Sequence, residues 1–135
     1  MNTILVAAGA AGILLAGQAK TTQDGVYTAA QARRGGMVYA RACASCHGAD
    51  LAGDGQASPL TGKDFATTWN GQPLGDLFER IHATMPADAP GTLKTADVAD
   101  VIAYMLEKSA CPAGPAELAS DQQALKDITF IAPKP

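Results

Sequence analysis

The sequence predicts an all-α chain of three to four main helices joined by long loops, and three observations carry that reading. Stretches beginning near residues 29, 74 and 95 place apolar side chains at helical spacing or carry helix-start signals. No pair of segments alternates as strands do, and no internal repeat is visible. Between them, Gly48 to Gly75 holds six glycines with Pro59 and Pro73 and no sustained period. Structureless stretches of that length are uncommon inside compact domains and are usually functional, so this one needs something to wrap around. Composition says the same: 28 alanines stand against three Phe, three Tyr and one Trp. Aromatic side chains bury about 150 to 250 Å² each and dominate core energetics, so this core is short of bulk.

In chain order, Met1 to Ala19 carries no ionisable side chain, and Ile4 to Ala16 is apolar or glycine. Gly17 and Ala19 are the small residues expected before a cleavage point, so residues 1–19 read as a signal peptide. An uncleaved anchor is the alternative, because the stretch approaches the ~20 residues that span a bilayer. Either way the rest of the chain, 20–135, is expected outside the cytoplasm as a single domain, with a polar docking tail from about residue 112.

Thr28-Ala29-Ala30-Gln31 has capping-box spacing, in which hydroxyl and amide satisfy each other's backbone donors. It predicts a helix from Ala29 to about Ala42. Gly35 and Gly36 each cost about 1 kcal/mol relative to Ala there, which suggests that another backbone or a flat ligand comes close, with fraying of the helix end as the alternative. Leu74, Leu77, Phe78 and Ile81 fall at i, i+3, i+4 and i+7, a helix that ends by Met85 because Pro86 disfavours helical geometry in the preceding residue. After a loop with Pro90 and Gly91, Thr95 is expected to cap a last helix. Asp97 and Asp100 fall in its first turns, Lys108 near its end, and Val98, Val101, Ile102, Met105 and Leu106 along one stripe. In the tail, Leu118, Leu125, Ile128 and Ile131 are the candidate docking points.

The formal net charge is -3, with five basic and three acidic residues up to Lys63 and ten acidic and five basic from Asp64 onward. No basic stripe recommends nucleic acid, and three cysteines cannot make a dense disulfide framework.

Cys43-Ala44-Ser45-Cys46-His47 is C-x-x-C-H, the attachment sequence of c-type haem. Two thiols three residues apart at a helix end lie on one side and can both add to the vinyl groups of one porphyrin edge, while the adjacent imidazole turns under the ring to the iron. A thioredoxin-like C-x-x-C would want a βαβ setting, which is missing. A structural zinc site would need four ligands, for which Cys111 and His82 make a poor second half. A plain Cys43–Cys46 disulfide is the remaining alternative. A covalently held porphyrin would also supply the bulk the core lacks, so the chain without haem is expected to be largely unfolded.

With these residues the chain resembles the class I cytochrome c family over nearly all of residues 20–135. The resemblance implies that family's fold, with the loops wrapped around one haem c. It implies that Gly35 and Tyr39 pack against Val101 and Tyr104 of the last helix, with Gly35 allowing a close crossing. It implies that the Pro59 carbonyl accepts the His47 imidazole N–H, orienting the ring and raising its basicity, and that Met85 in Thr84-Met85-Pro86 is the sixth ligand of the iron. Trp69 is given either an indole N–H donated to a haem propionate or plain packing. The run from Leu77 through Met85, Pro90, Gly91 and Tyr104 to Pro112-Ala113-Gly114 looks like small cytochromes that serve periplasmic dehydrogenases.

Of the other methionines, Met37 and Met105 read as core filler, and His82 as a solvated histidine. Cys111 reads as a buried small hydrophobe, with intermolecular disulfide formation as the alternative. His/Met ligation closes the coordination sphere and favours ferrous iron, leaving one-electron transfer through the haem edge and no catalytic acid, base or nucleophile. The expected partners are redox proteins: a dehydrogenase donor and an oxidase or cytochrome acceptor, meeting the rim near Ala44, Ser45 and the Met85–Gly91 loop. A subunit held in a dehydrogenase or oxidase complex is one alternative; a haem enzyme or gas sensor with an open sixth position is another. A membrane association follows only if residues 1–19 stay attached.

Overall fold

Thr28 starts the first helix as its spacing predicts: its hydroxyl accepts the Gln31 N–H at 3.1 Å, and α1 runs Ala29–Ala42. The reciprocal half of the capping box is not made. Gln31 is buried, and its amide instead pairs in both directions with the backbone of Leu118, at 3.1 and 2.8 Å. The computed structural model describes residues 19–134; the expected export segment lies outside them but for Ala19.

A single turn, α2 (Ala44–His47), follows α1 directly. Then come α3 (Gly62–Trp69), α4 (Leu74–Thr84), α5 (Thr95–Lys108) and the short α6 (Gln122–Leu125). Helices α4 and α5 occupy the predicted stretches. Thr95 is the first helical residue of α5 and Lys94 the N-cap, without a side-chain cap, so the start lies one residue earlier than the Thr signal implied. The glycine-rich stretch is less irregular than its composition suggested, because α3 forms inside it with Phe65 buried and Trp69 half-buried. Two residues of strand, β1 (Lys20–Thr21), pair in parallel with β2 (Ile128–Thr129). Sequence patterning gives no hint of this pair, which is too short to show a period.

The main packing is α1 across α5. Tyr39 meets Tyr104 as the resemblance implied, the rings 5.4 Å apart and tilted, and Gly35 also lies beside Tyr104; but the closest approach to Gly35 is the Asp100 carbonyl, which a Cβ there would overlap, rather than the expected Val101. The α5 stripe of Val98, Val101, Ile102, Met105 and Leu106 is at most 1% exposed, and each such side chain contributes about 1.5–3 kcal/mol relative to exposure. Met105 is core, as expected. Met37 is not: at 64% exposed it lies on the outer face of α1. Asp100, whose place in the sequence suggested a dipole-favouring acid, is buried on the α1 side. There it takes two hydrogen bonds from the Arg34 guanidinium, at 3.0 and 3.1 Å, while Arg34 reaches on to Glu117 of the tail at 2.9 Å. Its partners hold the Arg34 pKa above its usual range, hydrogen bonds to Asp100 and then Glu117 leading. All seven aromatic side chains are buried in the core or packed against it.

Candidate functional site

Helix α1 breaks at Cys43, where φ is -127° and ψ -38°, and the chain restarts one turn of helix through the motif. The Cys43 carbonyl accepts from Cys46 N–H at 3.2 Å and from His47 N–H at 3.0 Å. Residues at i and i+3 of a helical turn are neighbours, and these bonds hold the backbone that carries both thiols. Both thiols are free, Cys43 half-buried and Cys46 exposed, and burial pushes the Cys43 thiol pKa up.

His47 is 8% exposed, and its Nδ1 lies 2.8 Å from the Ser58 carbonyl oxygen. A carbonyl can only accept, so Nδ1 carries a proton, and in the neutral ring that leaves the lone pair on Nε2. The resemblance pointed to the Pro59 carbonyl; the acceptor is one residue earlier, with Pro59 following it half-buried. The offset belongs to the loop: Gly53 N–H donates to the His47 carbonyl at 2.8 Å, Leu60 N–H to the Leu51 carbonyl at 2.9 Å, and Gly53 turns at φ +73° against the Ala57 carbonyl. The Asp54 carboxylate caps this turn through the Gln56 and Ala57 N–H groups, both at 2.9 Å, and those bonds, Ala57 first, hold its pKa below the usual carboxylate value. From beneath, the buried Tyr39 donates its hydroxyl to the Gly48 carbonyl at 2.6 Å. Burial, then Cys43, Tyr104 and Asp50, push the Tyr39 pKa up to about 12.

Met85 is the C-cap of α4, its N–H bonded to the Ile81 carbonyl at 2.9 Å, and the Met85–Pro86 peptide is cis. Its side chain is half-buried against the core, as are Cys43, Ala44, Leu60, Trp69 and Leu93. Trp69 lies 6.2 Å from Phe65 and beneath the Arg80 guanidinium, 6.0 Å from the ring centroid. His82 is half-buried rather than solvated, stacked on Phe78 at 6.0 Å. Cys111 is 4% exposed with Gln23 Nε2 3.7 Å from its sulfur, a packed small hydrophobe whose burial raises its pKa.

The residues present fit a covalently held haem. Two free thiols stand three residues apart on one turn, the next residue is an imidazole whose Nδ1 is held by a carbonyl, and the half-buried apolar set includes one thioether on a proline-bounded loop. Among the described residues no three His, Cys, Asp or Glu side chains converge as a separate metal site, and no buried side-chain polar atom lacks a partner.

Comparison with known proteins agrees. The sequence profile of the family described as Cytochrome C oxidase, cbb3-type, subunit III matches residues 30–105, more than half of the chain. No curated protein and no solved structure matches. Domains of this type are typically exported or membrane-associated; no helix among the described residues is long and apolar enough to cross a membrane. From the motif turn, the oriented histidine and this match together, the chain belongs to the class I, mono-haem cytochrome c family, whose haem c transfers electrons.

Proposed function

We propose that the chain is a one-electron carrier whose single haem c is attached through Cys43 and Cys46 and ligated by His47 and Met85. The observation that carries this is the His47 ring, held by the Ser58 carbonyl in the one tautomer that leaves Nε2 able to ligate iron. Bound haem would supply a couple between ferric and ferrous iron. The chain supplies the rest. Ser58 orients the imidazole and raises its basicity; Tyr39 and the Asp54 turn fix the backbone on either side of the motif. Met85, on a loop stiffened by Pro86 and Pro90, offers a soft thioether that favours the reduced state. With His47 and Met85 as the two ligands, no acid, base or nucleophile is needed, and electrons would cross at the rim near Ala44, Ser45 and the Met85–Gly91 loop. The partners are exported redox proteins, a dehydrogenase on one side and an oxidase or second cytochrome on the other. Complementary charge at that rim sets encounter rate more than affinity.

The test is spectroscopic. Oxidised protein shows the weak long-wavelength band of sulfur-ligated iron, and reduced protein binds carbon monoxide slowly. Met85→Ala keeps covalent haem, loses the band and drops in potential. A wild-type protein without the band that takes up carbon monoxide at once would be a haem enzyme or gas sensor instead, and unchanged spectra in Met85→Ala would move the ligand elsewhere.

A further inference from the structure

The matched region ends at residue 105, yet the chain on either side of it is ordered by pairing with itself. Beyond the β1–β2 pair, the buried Thr22 hydroxyl donates to the Ile131 carbonyl and accepts the Ile131 N–H, both at 2.9 Å. The Tyr27 hydroxyl donates to the Cys111 carbonyl at 2.7 Å, and Gly114 N–H to the Tyr27 carbonyl at 2.6 Å. At that crossing a Cβ on Gly114 would overlap the Gly25 carbonyl. With the Gln31–Leu118 pair and the Arg34–Glu117 bridge, these contacts join residues 19–29 and 111–134 into one terminal belt fastened to α1.

The belt has one further target, the turn between α3 and α4. Gly71 N–H donates to the Phe130 carbonyl and Phe130 N–H to the Gln72 carbonyl, both at 2.8 Å; Ala132 N–H donates to Asn70 Oδ1 at 2.9 Å. The Phe130 ring, 2% exposed, meets Phe65 edge-on at 5.4 Å, and Phe65 leads to Trp69. Helix α6 then lies along α4 where Gly75 has no side chain: a Cβ there would sit 2.6 Å from both the Gln122 carbonyl oxygen and Lys126 Cγ. So the tail grips the start of α4 by its backbone and its first turn by close packing. Met85 caps the far end of that same 11-residue helix. A helix is a stiff rod of about 1.5 Å per residue, so an anchored start fixes the position of its end.

We propose that the terminal belt is a brace that positions Met85, with Phe130 as its main positioning residue, so that the belt governs how often the sixth ligand lets go. The proposal rests on the reading of Met85 as that ligand. A tail that only added general stability would raise the whole domain's resistance to unfolding and leave local ligand release unchanged. A brace acts on the local opening.

The experiment uses full-length holoprotein: wild type, Phe130→Ala, and Val98→Ala as a control that weakens the buried α5 stripe at a residue outside the belt segments. The long-wavelength band and far-UV helix signal are followed through a denaturant series, and carbon monoxide binding to reduced protein is timed without denaturant. In Phe130→Ala the band is expected to vanish while helix is still intact. Carbon monoxide is expected to bind about tenfold faster or more, because its apparent rate scales with the open fraction. In Val98→Ala band and helix are lost together. If Phe130→Ala also loses both together and its carbon monoxide rate matches wild type, the brace is refuted. A wild type with no band at all overturns the ligand reading instead. Should Phe130→Ala not accumulate with haem, Phe130→Leu and Thr22→Val are judged by the same two readings.

Discussion

Gly35→Ala sets two effects of opposite sign against each other at one atom. Inside a helix, Ala is favoured over Gly by about 1 kcal/mol, so propensity alone makes the change stabilising. The α1–α5 crossing says otherwise. The added Cβ would overlap the Asp100 carbonyl and stand 3.0 Å from Tyr104 Cβ, where carbon atoms settle at about 3.5–4.0 Å. The obstacle is helix backbone, so relief means moving α5 away from α1 by more than an ångström. That separation loosens the Tyr39–Tyr104 ring contact, worth about 0.5–1.5 kcal/mol, besides the usual overpacking cost of about 1–3 kcal/mol. Set against the propensity gain, the net is a loss of about 0.5–3.5 kcal/mol. Gly36→Ala is the internal control. Its Cβ would meet only the Tyr104 ring edge, at 3.2 and 3.3 Å, and a side chain can give by that much. It should lie within about 1 kcal/mol of wild type. Guanidinium unfolding of the holoprotein, followed by far-UV circular dichroism, separates the two: with a slope of about 4 kcal/mol/M, Gly35→Ala lowers the midpoint by roughly 0.1–0.9 M. A Gly35→Ala midpoint at or above wild type, or an equal fall in Gly36→Ala, would refute the close-crossing argument.

Three further outcomes are expected. Replacing both Cys43 and Cys46 by Ser yields apoprotein with little helix by circular dichroism; a stable, well-dispersed apo domain in nuclear magnetic resonance spectra would show that the core is complete without haem. Tyr39→Phe loses the bond to the Gly48 carbonyl and costs about 1 kcal/mol. In the wild type, a folded-state Tyr39 pKa of about 12 lies above the unfolded value of about 10. Its contribution is therefore full below pH 10 and lost as pH rises through 12, a fall that Tyr39→Phe lacks when stability is profiled by denaturant titration. Gln31→Ala strands the buried Leu118 backbone groups and costs about 1–3 kcal/mol. A midpoint equal to wild type would mean that the Gln31–Leu118 pair is not holding the tail.

The features legible in the order of amino acids rest on interactions between residues near one another in the chain. Apolar spacing marks α4 and the α5 stripe, the Thr28 hydroxyl marks the start of α1, and a five-residue motif marks the haem turn, because each depends on hydrogen bonds and faces within one or two turns of helix. Gly35 is legible as a place of close approach since a glycine in mid-helix has a local cost that something must offset. Helix α3 escapes such reading because only Phe65 and Trp69 mark its inner face; that i, i+4 pair, with Asp64 in the first turn, is the available signal. The remaining decisions join residues far apart. Ser58 rather than Pro59 accepts from His47 because the Gly53 turn sets the loop's register. Gln31 leaves its capping role because a tail segment 87 positions away offers it two buried partners. Phe130 becomes the tail's anchor, ahead of Ile128 and Ile131, because it meets Phe65 across the fold. Such pairings leave no periodic trace in a sequence. Their energy appears only once the chain has closed on itself and water has been excluded, so tertiary structure alone decides the belt, while local chemistry already names the candidate haem site.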